Sequence, residues 1–238
     1  MIAGCVLLVV VAIVMVVRWS ALPDRREPPP DREAQRVNGL ANHALHLVGG
    51  VAIGSIAGLV AGALAGAGGR LVMRLLALTS PDARGQLTEA GAIVGSITAG
   101  GTVSLIAFCA FLGVPTGWLY MILRRLLPAG RAAGVAFGAL LLIVASTRFE
   151  PARPDNFDFG LVGPAWLALL SFGAVVLLHG MLVAAVAERT CVALPWLAPR
   201  TAPGGLHPAR VVIAGRIALG VGLLVALPGF VAATAEIV

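Results

Sequence analysis

Few side chains in this sequence are suited to chemistry in apolar surroundings, and their spacing restricts what that chemistry is. His179 stands in Leu178-His179-Gly180-Met181, deep in an apolar run. An ionisable group at membrane depth is a candidate for proton or polar-solute passage, and imidazole titrates near neutrality. A relay needs a second group at that depth. The nearest in sequence is Glu188, nine residues on, about 13 Å along a helix. A histidine bonded to a neighbouring helix is the commoner arrangement. Arg70 and Arg74, in Gly69-Arg70-Leu71-Val72-Met73-Arg74, are spaced i, i+4 and share one helix face. Two guanidiniums so placed suit an anion or lipid headgroup, with Asp82 or Glu89 as counter-charges, and equally suit snorkelling to headgroup level.

Asp155, Asn156 and Asp158 offer hard oxygen ligands of the kind calcium takes. The run lacks the glycine and the ligand spacing of a calcium loop, so a turn and helix cap are the better reading. Cys5, Cys109 and Cys191 fall in or beside separate apolar stretches, with no disulfide or metal spacing between them. Ser55 lies between glycines with no histidine or acid nearby in sequence. No His-Glu-x-x-His, phosphate-cradling loop or pair of intramembrane aspartates occurs. No catalytic residue, metal site or cofactor is assigned, and the balance leans toward a non-enzyme.

The elements that would hold these residues are apolar helices. Hydrophobic residues make up 59% of the 238 residues and charged residues 12%, against about 25% charged in soluble domains. That balance excludes a water-soluble globule and predicts an all-α, polytopic transmembrane bundle. All 17 basic residues are arginine, and with abundant Ala, Gly and Val this suggests a GC-rich bacterial genome. The arginines are scattered over connections, so the net charge of +6 speaks for topology and anionic lipid and against nucleic-acid binding.

Six apolar stretches are present: Met1–Val17, Leu47–Gly69, from near Gly91 to Leu123, Ala132–Ser146, Leu161–Ala187 and Val211–Ala233. The first reads as an uncleaved anchor. The third is long, and Gly113-Val114-Pro115-Thr116-Gly117 offers a kink or break within it. Pro28-Pro29-Pro30 marks a stiff spacer, dividing an N-terminal anchor with linker (1–36) from a five-helix bundle (37–238). Val37, Leu40, Ala41, Ala44, Leu45 and Val48 suggest a short interfacial helix leading into the second span. Pro195–Arg210 reads as a flexible connection. Three connections on one face hold 11 arginines and the opposite ones five. The positive-inside rule then predicts a cytoplasmic (inner) membrane protein with both termini outside. Trp19, Trp118, Tyr120, Trp166 and Trp196 fall mostly near span ends, as interface anchors do.

The second span carries Gly50, Gly54, Gly58, Gly62 and Gly66 at strict four-residue spacing, with no charge from Leu47 to Gly69. Each glycine costs about 1 kcal/mol of helix propensity relative to Ala, yet in lipid the backbone stays helical to satisfy its own hydrogen bonds. The glycines then form a seam for close helix contact. Gly91, Gly95, Ala99 and Thr102/Val103 offer a matching small face on the third span, and a second copy of the chain is the other occupant to consider.

The runs Gly69–Arg74, Ile97–Thr102, Trp118–Pro128 and Gly163–Leu167 resemble those of uncharacterised multi-pass membrane proteins of actinobacterial type. The resemblance covers roughly Leu47 to Arg189, implies a small helical bundle and brings no activity with it. The leading expectation is a non-enzymatic helix-packing module that self-associates or joins another membrane protein, with the bilayer as its surroundings. The alternative is a small-solute or ion permease with a polar path near His179, Arg70 and Arg74, and a third reading is a lipid-modifying or lipid-binding enzyme using Arg70 and Arg74.

Overall fold

The computed structural model describes residues 1–19, 39–89, 91–128, 130–145, 157–197 and 208–237. It is helical throughout, and among the described residues no strand occurs beyond one isolated bridge between Leu87 and Ile93. The helices are α1 (Ile2–Val17), α2 (Gly39–Thr79), α3 (Ala99–Leu123), α4 (Arg131–Ala145), α5 (Asp158–Leu161), α6 (Ala165–Ala193) and α7 (Pro208–Ile237), with a 3-10 turn at Pro81–Ala83. Among the described residues four segments are long and apolar enough to cross a membrane: Leu47–Thr79, Ala99–Leu123, Ala165–Ala193 and Ile213–Ile237. Ile2–Val17 and Arg131–Val144 are shorter apolar helices. The chain is an integral membrane protein of the helical class, and the six principal helices among the described residues agree roughly with the expected six stretches, four of them being of spanning length.

The contacts fix the directions of the helices. Residues late in α2 meet the start of α6, where the Gly163 amide donates to Ser80 Oγ, and residues early in α2 meet its end, where Gly49 abuts Leu197. The two helices are therefore antiparallel. Thr116 of α3 meets His179, and Arg124 meets Cys191, so α3 runs parallel to α6. α1 does the same, through Trp19 to Glu188. α4 runs the other way, with Gly134 against Met181 and Leu142 near Gly173. Thus α1, α3 and α6 end, and α2, α4 and α7 begin, at one end of the bundle. Arg124, Arg125, Arg131, Arg189 and Arg216 gather there.

The core is built from small residues. Ala57, Ala61, Phe137, Leu182, Val183, Ala184 and Ala185 are buried in one cluster with Ala12, Val16 and Trp19 of α1. α1 therefore shares the core of the other helices. A second close contact joins α4 to α6, where a Cβ on Gly138 would lie 2.8 Å from the Leu177 carbonyl oxygen and Gly180 rests on the Gly138 backbone.

Two expectations need correction. The third span begins at Ala99, not near Gly91. Gly91 (φ 72°) and Gly95 (φ 84°) adopt left-handed backbone conformations in a tight loop that glycine tolerates at no steric cost. Thr98 then caps α3 by accepting the Gly101 amide. Helix α2 also runs unbroken from Gly39, so the expected interfacial helix is its first turns. Asp155, Asn156 and the Pro28–Pro30 spacer lie outside the described residues.

Candidate functional site

The glycine seam of α2 is filled by α3 of the same chain. A Cβ on Gly54 would sit 3.0 Å from the Gly117 carbonyl, on Gly58 2.6 Å from the Gly113 carbonyl carbon, on Gly62 2.9 Å from Ala110 Cα, and on Gly66 3.0 Å from Cys109 Cβ and Ile106 Cα. Each four-residue step along α2 is matched by a four-residue step back along α3. The facing small residues are Gly117, Gly113 and Cys109, not Gly91 and Gly95. Pro115 lies inside α3, and the helix continues past it. Thr116 helps bridge this stretch by donating its hydroxyl to the Gly113 carbonyl at 2.7 Å.

The same hydroxyl reaches His179. Thr116 Oγ1 also lies 2.8 Å from His179 Nε2. Which of the two donates depends on the tautomer of the ring. Nδ1 is buried with no hydrogen-bond partner among the described residues, although the Ala61 carbonyl lies beside the ring. His179 thus ties α6 to α3 where both touch the seam helix. The expected result of pairing Thr116→Val with His179→Leu is a coupling of about 0.6 kcal/mol, at most ~1.7, in a double-mutant cycle on unfolding in detergent. A coupling of zero would mean the two side chains do not bond.

Arg70 lies elsewhere. Its Nε donates to Thr102 Oγ1 at 3.2 Å and Nη1 approaches Met73 Sδ at 3.9 Å, beside the first turn of α3. Arg74 and Arg84 belong to the same end of the bundle. Among the described residues no ion pair joins Arg70 or Arg74 to Asp82 or Glu89. The Glu89 amide is taken instead by Asp158 Oδ1 at 2.9 Å. Arg70 is nine residues beyond Ala61, the residue beside His179, about 13 Å along the helix. The polar residues singled out by sequence therefore occupy two levels of the bundle.

The opposite end holds a second polar group that sequence reasoning missed. Trp19 Nε1 donates to Glu188 Oε2 at 2.8 Å, and Trp19 is 1% exposed. Arg131 Nε donates to the Trp19 carbonyl at 2.6 Å, and Arg189 Nη2 to the Met15 carbonyl at 3.1 Å. The residues are more than a hundred positions apart, so no local pattern announces them. All three cysteines are free of disulfides, and among the described residues no group of His, Cys, Asp and Glu is arranged to hold a metal ion. Comparison with protein families, with curated proteins and with solved structures finds no match for this chain.

Proposed function

We propose that the protein is a non-enzymatic helix-packing module of a bacterial cytoplasmic membrane, and that α7 is the face through which it joins a second copy or another membrane protein. One contrast carries this reading. The small-residue stripe of α2 is covered from within the chain, whereas Ala214, Ala218 and Gly222 of α7, at the same four-residue spacing, are all exposed. Nothing lies within 4 Å of where a Cβ on Gly220 or Gly222 would sit. The neighbouring Leu224 and Val225 are 70% and 75% exposed. In lipid, close backbone approach over small residues is a main source of helix association. The gathering of arginines where α3 and α6 end supports a cytoplasmic position for that end under the positive-inside rule, with both termini outside.

Ala218→Ile combined with Gly222→Ile is expected to weaken association about tenfold, equivalent to ~1.4 kcal/mol, when energy transfer between labelled copies is measured in bilayers. A wild-type chain that stays monomeric there and retains no other membrane protein would remove the reading. A small-solute or ion permease ranks second. The unpartnered Nδ1 of His179 favours it, but Arg70 and Arg74 would have to share a wet path with that ring, and their positions put them at another depth.

A further inference from the structure

The glycine seam ends in a groove. Continuing the α2–α3 register sets Gly50 opposite Met121, where α3 no longer offers a small residue, and both residues line the groove. The groove between them has a volume of about 390 Å³ and is lined by Leu47, Gly50, Val51, Trp118, Met121, Ile122, Arg124 and Arg125. That volume falls within the ~300–1,000 Å³ of small-ligand sites. Its walls are apolar and open to the outside of the bundle: Leu47 is 72% exposed and Ile122 73%. One wall is held rigid, because Trp118 Nε1 donates both to Ser55 Oγ at 2.9 Å and to the Val51 carbonyl at 3.2 Å. At the mouth stand the two arginines. Arg124 is turned partly inward, donating to Cys191 Sγ at 3.5 Å with Glu188 as its electrostatic neighbour. Arg125 is exposed and makes no hydrogen bond or ion pair within the described residues.

We infer that this groove is a binding site for one anionic phospholipid, with its phosphate on Arg125 and Arg124 and one acyl chain along Leu47, Val51 and Ile122. The charge distribution selects this occupant. A neutral partner helix would strand two guanidiniums beside its apolar surface, and a free phosphate would leave the apolar walls unused. A lipid with a negative headgroup satisfies both at once, since basic pockets between transmembrane helices at the arginine-rich face take anionic headgroups. Arg125 is the leading contact, because Glu188 and the carbonyl end of α3 hold part of the charge of Arg124 inward. The site is separate from α7 and does not depend on the association proposed for that helix.

The test uses the full chain in detergent, titrated with phosphatidylglycerol or phosphatidylcholine of identical acyl chains and read by native mass spectrometry. Phosphatidylglycerol should be retained in preference to phosphatidylcholine by about fivefold for each arginine engaged. Arg125→Gln should remove most of that preference and Arg124→Gln with Arg125→Gln all of it, while Arg84→Gln at the other end leaves it unchanged. Inorganic phosphate should not compete. Equal retention of the two lipids, survival of the preference in the double variant, or displacement by inorganic phosphate would each overturn the assignment. Should the double variant fail to fold, the wild-type chain still decides. Brominated phosphatidylglycerol should quench the fluorescence lost in Trp118→Phe more strongly than brominated phosphatidylcholine does, and equal quenching would sink the site.

Discussion

Replacing Gly58 by Ala is expected to lower the unfolding free energy by about 3 kcal/mol, the upper end of what overpacking costs. The new Cβ would stand 2.6 Å from the Gly113 carbonyl carbon and 2.8 Å from Val114 Cα. Both are backbone atoms, which cannot swing aside as the end of a flexible side chain can. Intrinsic propensity points the other way, since Ala is favoured over Gly in a helix by about 1 kcal/mol. The sign of the measured change therefore reports which effect governs the seam. Gly69→Ala, in the same helix, is the internal control, because a Cβ there meets nothing within 4 Å. It should be neutral or slightly stabilising. Gly117→Ala, on the facing helix, should match Gly58→Ala. The two together should cost less than their sum, since one opening of the seam relieves both clashes. Loss of folded protein on heating in detergent measures all four. A Gly58→Ala chain as stable as wild type would mean that α2 and α3 do not touch there.

The seam was legible because two signals agreed: a strict four-residue glycine repeat and a charge-free segment long enough to span lipid. Its partner was hidden by a local signal of opposite meaning. Gly113 and Gly117 flank Pro115, and in water such a stretch ends a helix. In lipid the helix continues, because an unsatisfied backbone would cost several kcal/mol. The same glycines that suggest a break thus supply the contact. Gly91 and Gly95 erred in the reverse direction. Their spacing suits a helix face, but spacing does not reveal the sign of φ, and both sit in left-handed turns. Gly134 and Gly138, four apart on α4, carried a signal for the contact with Gly180 that the length and purity of the α2 stripe overshadowed. His179 was visible as a lone polar residue in an apolar run. Its partner, 63 positions away, was not, since only the parallel placement of α3 and α6 brings the two to one level.

Paired replacement of Arg131 and Arg189 by Ala is expected to free the end of α1 and expose Trp19. With 16 residues, α1 is about 24 Å long, short of the ~30 Å of hydrocarbon in a bilayer. Its last-turn carbonyls lack partners within the helix and need them from elsewhere. Arg131 serves the carbonyls of Trp19 and Val17 with one guanidinium, and Arg189 serves that of Met15. Hydrogen bonds from charged donors contribute about 1.5–3 kcal/mol each, and positive charge at a helix C-terminus adds to this. Losing both arginines should therefore destabilise the chain by more than about 3 kcal/mol. Arg131→Lys should fall between, because an ammonium can meet one carbonyl but lacks the planar fork that reaches two. Acrylamide quenching of the Trp19 emission, isolated by subtraction of a Trp19→Phe chain, reads the effect directly. Wild-type Trp19 should be shielded and the double variant accessible. Persistent shielding in the double variant would show that Ala12 and Val16, buried at 0% and 8% exposure, hold α1 by packing alone, and that the arginines serve only to satisfy carbonyls already fixed in place.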